Sequence, residues 1–184
     1  MRELSLNIMD IAQNSVRAEA TRITIRCAEN RADKILTLEV EDNGKGMSEE
    51  QIASVTDPFF TTRTTRKVGL GVPLFKMAAE QTGGSFRITS EVGKGTLTAA
   101  SFKTDSVDMT PLGDINSTVS LLINSNPEMD IVFERSVDDK SFTLDTAQMR
   151  ELLGDVPLNN PDVTLWINSF LEENEKDLFG GKDQ

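Results

Sequence analysis

The sequence contains no histidine. That absence removes every mechanism that runs through an imidazole, including phospho-histidine acceptors, Ser-His triads and imidazole zinc sites. It has one cysteine, Cys27, so neither an internal disulfide nor a thiolate metal cluster can form. No run of about 18 apolar residues occurs, and the N-terminus alternates charged with apolar residues. The expectation is a cytoplasmic protein with no membrane span and no signal peptide. Cations are scarce in the second part of the chain. Residues 105–184 hold 5 Lys+Arg against 17 Asp+Glu, a net of −12, whereas residues 1–104 hold 14 against 13. Nucleic acid is therefore not expected as the main partner, because phosphate neutralisation needs clustered Lys and Arg. The 184 residues are 38% hydrophobic and 27% charged, ordinary values for a folded soluble chain of one domain, or one domain with an appendage.

The change of charge falls at a polar stretch ending in Pro, Asp105–Pro111, which reads as a linker between residues 1–104 and an acidic module, 105–184. Eight glycines before it come in pairs: Gly44/Gly46, Gly69/Gly71, Gly83/Gly84 and Gly93/Gly95. Periodicity predicts a helix over 2–19, with Leu4, Ile8, Ile11, Ala12 and Ser15 on one face. Strands are predicted over 21–28 and 35–41. Ser48 and Gln51 carry the signature of a capping box opening a helix. A further helix is predicted over 71–82, ended by the glycine pair, and strands over 85–90 and 96–102. The acidic part predicts helix 113–124, strands 129–136 and 140–145, and helices 146–153 and 161–178. This interleaving favours a sheet covered by helices.

Four stretches carry chemistry. On helix 2–19, Asn7, Asp10, Asn14 and Arg17 project within about 100° of one another. Such a face serves a solvated surface, or holds a metal ion, a water and a phosphate together. Asp42-Asn43-Gly44-Lys45-Gly46-Met47 follows a strand directly. It reads as a hairpin turn, or as a loop that approaches a ligand while the aspartate accepts from an amine. Asp57–Gly71 joins two phenylalanines, four threonines and three cations to a Gly-x-Gly that opens a helix. A helix start of this kind is an anion site, and a basic loop with a cap is the plainer alternative. It is neither a Walker loop nor a dinucleotide fingerprint. Gly93-Lys94-Gly95-Thr96 alone is a turn between strands.

Together the motifs Asp10-x-x-x-Asn14, Asp42-x-Gly44-x-Gly46, Pro58-Phe59-Phe60-Thr61-Thr62, Gly69-Leu70-Gly71 and Gly93-x-Gly95-Thr96 resemble one family in order and rough spacing. This is the GHKL ATPases: gyrase B, the heat-shock chaperone ATPase, histidine kinases and MutL. The likeness runs over about residues 4–103. Its last three motifs are most similar to a sensor histidine kinase, and Gln13–Thr21 to MutL.

The resemblance implies an α/β fold, a Bergerat-type two-layer α+β sandwich whose mixed sheet is covered by helices, here followed by the small acidic α/β module. It implies ATP and Mg²⁺ as cofactors. Asn14 would hold the metal, and Asp42 with Thr96 would read adenine in a pocket shaped by Gly44 and Gly46. Gly69, Leu70 and Gly71 would bring backbone amides to the phosphates beneath a lid, Arg63–Val68, that orders over the triphosphate. Arg17 and Arg63 stand where the family places phosphate-contacting cations. Asp10 takes the catalytic position, where ATP-hydrolysing members carry the longer Glu, so slow basal turnover is expected. With no histidine, autophosphorylation on that residue is excluded.

The expected function is a regulatory Mg-ATP-binding protein that transfers phosphate to a protein partner in trans or hydrolyses ATP slowly. A non-catalytic nucleotide-dependent switch, anti-sigma-like or a sensor, is the alternative. A MutL-like DNA-processing ATPase fits the acidic charge poorly. The acidic part reads as solvated faces or as a docking module, with Trp166 expected in its core.

Overall fold

The computed structural model describes residues 3–57, 59 and 70–181. In chain order the elements are α1 (Leu4–Arg17), β1 (Arg22–Asn30), β2 (Ile35–Asp42), α2 (Glu49–Thr56), α3 (Gly71–Gln81), β3 (Ser85–Glu91) and β4 (Gly95–Lys103). They continue with α4 (Ile115–Ser125), β5 (Asp130–Val137), β6 (Lys140–Asp145), α5 (Thr146–Leu153) and α6 (Pro161–Leu178). Among the described residues the strands form one six-stranded sheet in the order β3-β4-β2-β1-β5-β6. All neighbours are antiparallel except β1 and β5, which run parallel.

Strand alternation sorts the sheet into two faces. Ile23, Ile25 and Cys27 on β1, Leu36, Leu38 and Val40 on β2, and Ile131 and Phe133 on β5 are buried against helices. With Ile8 and Ile11 of α1, Phe75 of α3, Val119 and Leu122 of α4, and Ile167 and Leu171 of α6, they make one continuous core. The opposite face is polar. At its centre Arg26 pairs with Glu39 at 3.3 Å, Glu41 at 2.8 Å and Glu134 at 3.1 Å, spanning three strands. The molecule is thus the two-layer α+β sandwich expected.

The change of charge at residue 105 is no break in the sheet. β5 pairs along β1 from Arg22 to Glu29, so the acidic segment extends the same sheet. The segment read as a linker also closes α1. The carbonyls of Pro111 and Leu112 accept from the Leu4 and Ser5 amides at 2.9 Å each, satisfying helix-start donors that lack a side-chain cap. The capping box at α2 is present in both directions, Ser48 to the Gln51 amide and Gln51 to the Ser48 amide.

Beneath α6 the core holds a charge. Arg135 on β5 is 2% exposed and lies 3.4 Å from Glu175 and 3.7 Å from Glu29. Cys27 is fully buried close to this cluster, and burial pushes its thiol up to about 12, against the opposing pull of Arg135. Thiolate is the reactive form. Alkylation of Cys27 by iodoacetamide at neutral pH should therefore be at least about a hundredfold slower in the native protein than in denaturant. Mass spectrometry of the quenched reaction measures it; comparable rates would place Cys27 outside the core.

Candidate functional site

The cleft lies between α1 and the ends of β2 and β4. It holds a small cavity of about 80 Å³ that opens to solvent, below the roughly 300–1,000 Å³ of pockets that bury a whole drug-sized ligand. Its lining is mostly apolar: Ile11 of α1 and Ala18 just after it, Val55 of α2, Val72 of α3, Ile88 of β3 and Met47. A few polar groups converge on it, namely Asn14, Ser15, Asp42, Thr96 and Thr98. An apolar cleft with a small polar set suits a heteroaromatic ring that must also be recognised at its edge.

Asp42 is the last residue of β2, and both of its carboxylate oxygens are fixed. Ser15 Oγ donates to Oδ2 at 2.5 Å, and the Gly44 amide donates to Oδ1 at 2.9 Å. An ionised carboxylate offers about four acceptor sites, so two remain for a ligand amine. Thr96, opposite Asp42 in the β2–β4 register, is set by a proton count around Ser90. Ser90 Oγ lies 2.9 Å from the Gly95 carbonyl, receives the Met47 amide at 2.8 Å and contacts Thr96 Oγ1 at 2.8 Å. Its one proton goes to the carbonyl, so Thr96 donates to Ser90 and keeps its lone pairs for the cleft.

The two glycine turns interlock. Gly46 has φ 68°, and a Cβ there would overlap the Glu91 carbonyl; Gly95 has φ 122°, and a Cβ there would overlap the Asp42 carbonyl. The Gly93 amide donates to the Lys45 carbonyl at 2.7 Å, locking the turns together. The Asp42 loop is also tied to the end of α1, through the Lys45 amide on the Ala18 carbonyl, and to the start of β1, where Asn43 Oδ1 accepts from the Thr21 and Arg22 amides. Motifs far apart in the chain thus build one wall.

At the α1 side, Asn14 lines the cleft, and its Oδ1 accepts from Arg17 Nη1 at 2.9 Å. Arg17 is exposed and lies outside the lining. Asp10, one turn before Asn14, is partly buried beside the start of α3, where a Cβ on Gly71 would come within 2.5 Å of its own Cβ. Leu70 is the exposed N-cap of α3, with no side-chain cap bond. Asn7 does not share the ligand-facing role its position implies. It is 2% exposed and donates to the Gly71 carbonyl at 3.4 Å, joining α1 to α3. Gly44 is packed on Ala18, outside the residues that line the cleft. Arg63, Gly69 and the segment Arg63–Val68 lie outside the described residues.

Ser15 and Ser90 carry this geometry, and neither stands out in sequence. Ser15 falls on the apolar stripe of α1. Its signal is that a buried hydroxyl needs a partner. Ser90 ends an ordinary alternating strand.

Fold and cleft define an α+β sandwich with a partly apolar cleft between its first helix and its sheet. The chain belongs to the histidine kinase-, DNA gyrase B- and HSP90-like ATPase family, whose model matches residues 1–106. The matched part is therefore an ATP-binding, kinase-like domain. Among curated relatives it is similar to the sensor protein SrrB of Staphylococcus aureus, at 37% identity over 101 residues. That match covers 52% of this chain and 17% of the relative, so the chain spans about a sixth of the protein it resembles. Among solved structures the N-terminal domain of a DNA repair protein has the same fold, with TM-score 0.54 and 12% identity over 79% of this chain and 53% of that one. Among the described residues no helix is long and apolar enough to cross a membrane.

Proposed function

We propose that the cleft binds Mg-ATP and that the protein transfers the terminal phosphate to a protein partner in trans, or hydrolyses it slowly, in the cytoplasm. The observation that carries this reading is Asp42, a carboxylate at the edge of an apolar slot with both oxygens pre-positioned. It would accept the exocyclic amine of adenine, with Thr96 beside it. Ile11, Met47, Val55 and Ile88 would hold the ring. The phosphates would extend past Asn14 toward the start of α3, where free backbone amides and the positive end of the helix dipole favour an anion.

The donor set fits a magnesium ion. Among the described residues no cluster of three or more His, Cys, Asp or Glu is placed to hold a metal. The amide oxygen of Asn14 is instead a single hard ligand on the cleft wall, the kind of site at which magnesium keeps waters and phosphate oxygens. Bound there, the ion would neutralise charge on the phosphates. Asn14 must first release Arg17, which leaves that guanidinium free to meet phosphate. Asp10 would take the proton of the attacking water or hydroxyl as its oxygen bonds to the terminal phosphorus and the bond to the ADP oxygen breaks.

Asn14→Ala should weaken magnesium-dependent ATP binding at least roughly tenfold while the thermal melt stays unchanged. Calorimetry of the two proteins decides it. Equal affinities would remove Asn14 from the metal site.

A further inference from the structure

Trp166, expected in the core, stands at the surface. It is 52% exposed and its neighbour Leu165 is 65% exposed, at the N-terminal half of α6. The indole is nevertheless held. It stacks on Phe170 at 5.2 Å and 21°, Phe170 meets Phe142 of β6 edge-on at 6.0 Å, and Phe142 meets buried Phe133 edge-on at 6.0 Å. An aromatic line therefore runs from the core to an exposed end. A rigid, pre-ordered Trp of this kind is the residue that dominates protein interfaces.

Helical spacing gives the surface a pattern. Asp162, Leu165, Trp166, Ser169, Glu172 and Glu173 recur at intervals of three and four, and all six are exposed. They form one stripe with an apolar centre and carboxylates at both ends, about 16 Å long from first to last. Among the described residues Glu172 pairs with Lys176 of its own helix, at 3.3 Å. Exposed pairs of that kind contribute little and exchange readily. We propose that this face of α6 is the docking site for a cationic amphipathic helix of a partner protein. Its apolar residues would cover Leu165 and Trp166, while its Lys and Arg residues meet Asp162 at one end and Glu172 and Glu173 at the other. A second copy of the chain is disfavoured as occupant, because it would bring carboxylate against carboxylate from a segment of net charge −12. An anionic membrane is disfavoured for the same reason. The proposal does not depend on the nucleotide cleft.

Trp166 is the chain's one tryptophan, so its emission reports this site alone. The full chain is titrated with a synthetic Leu/Lys peptide patterned as an amphipathic helix, and with a scrambled peptide of identical composition. The patterned peptide should give a saturable blue shift that weakens with salt and is at least roughly tenfold tighter than the scrambled one. Leu165→Asp, and separately the Glu172→Lys/Glu173→Lys pair, should each weaken binding at least roughly tenfold with the melting temperature unchanged. Equal binding of the scrambled peptide, indifference to Leu165→Asp, or no shift at roughly millimolar peptide would overturn the proposal. A blue shift produced by protein concentration alone, with dimers in ultracentrifugation, would name a second copy as occupant and overturn it. A shift on phosphatidylcholine vesicles, unmatched by the peptide, would do so in favour of a lipid surface.

Discussion

Replacing Asp10 by Asn should lower phosphate release or transfer at least roughly 100-fold while ATP affinity stays within a few-fold. The separation of the two effects follows from the placement of Asp10. It stands one turn before Asn14 on α1, outside the residues that line the cleft, so adenine recognition does not pass through it. Its side chain lies against Gly71, where α3 begins and where the phosphates would end. Asn fills the same volume there and removes only the base. Aspartate is one methylene shorter than glutamate, so Asp10 must reach the nucleophile at close range or through a bridging water. Basal turnover should accordingly be slow, with transfer waiting on a partner's hydroxyl. Product analysis with labelled ATP, with and without cell extract, reads both quantities. A variant that turns over as fast as the native protein would move the account to a nucleotide-dependent switch without transfer.

The second large effect is structural. Gly95→Ala should destabilise the protein by about 4 kcal/mol, combining backbone strain at positive φ with overpacking. Gly93→Ala, two residues away in the same turn, should cost only about 1 kcal/mol. Both glycines have positive φ, 83° at Gly93 and 122° at Gly95. Around Gly93 nothing lies within 4 Å of an added Cβ, whereas at Gly95 that atom would meet the backbone of Asp42 and Asn43. Backbone has no rotamer to yield, so β2 and β4 must part where Asp42 faces Thr96. At roughly 2–4 °C per kcal/mol for a chain of this size, the two melts should differ by about 6–12 °C. Gly95→Ala should also weaken ATP binding, because the displaced strand end carries Asp42. Equal melting temperatures would show that the turns do not interlock.

Sequence patterns revealed the parts of this protein whose causes are local. The apolar stripe of α1, the alternation of β1 and β2, and the capping box at Ser48 each depend on neighbours within a turn or two, and each is found where expected. Asn14, Asp42, Gly46 and Thr96 line one cleft because their family spacing encodes a known chain path. Features that depend on distant partners were not legible. The parallel pairing of β5 with β1 joins residues more than a hundred positions apart, and no periodicity signals it. Ser15 looked like a small residue on a buried face until Asp42, 27 positions on, supplied its acceptor. Asn7 shares a helical face with Asp10 and Asn14, yet α3 covers it. Trp166 was misjudged for the converse reason. Hydrophobicity argued for the core, but the inward positions of α6 are taken by Val163, Ile167 and Leu171.

Asp42 is proposed to read an adenine edge in the cleft, and competition between nucleotides probes that contact. Adenine presents an amine donor to the carboxylate, whereas guanine presents a carbonyl at that position. Two acceptors would then face each other in a partly buried slot, where an unpaired polar group costs about 1–3 kcal/mol and a charged one more. Calorimetric titration of the native protein with ATP and with GTP, both with magnesium, should give at least roughly tenfold tighter binding of ATP. Comparable affinities for ATP and GTP would contradict the account.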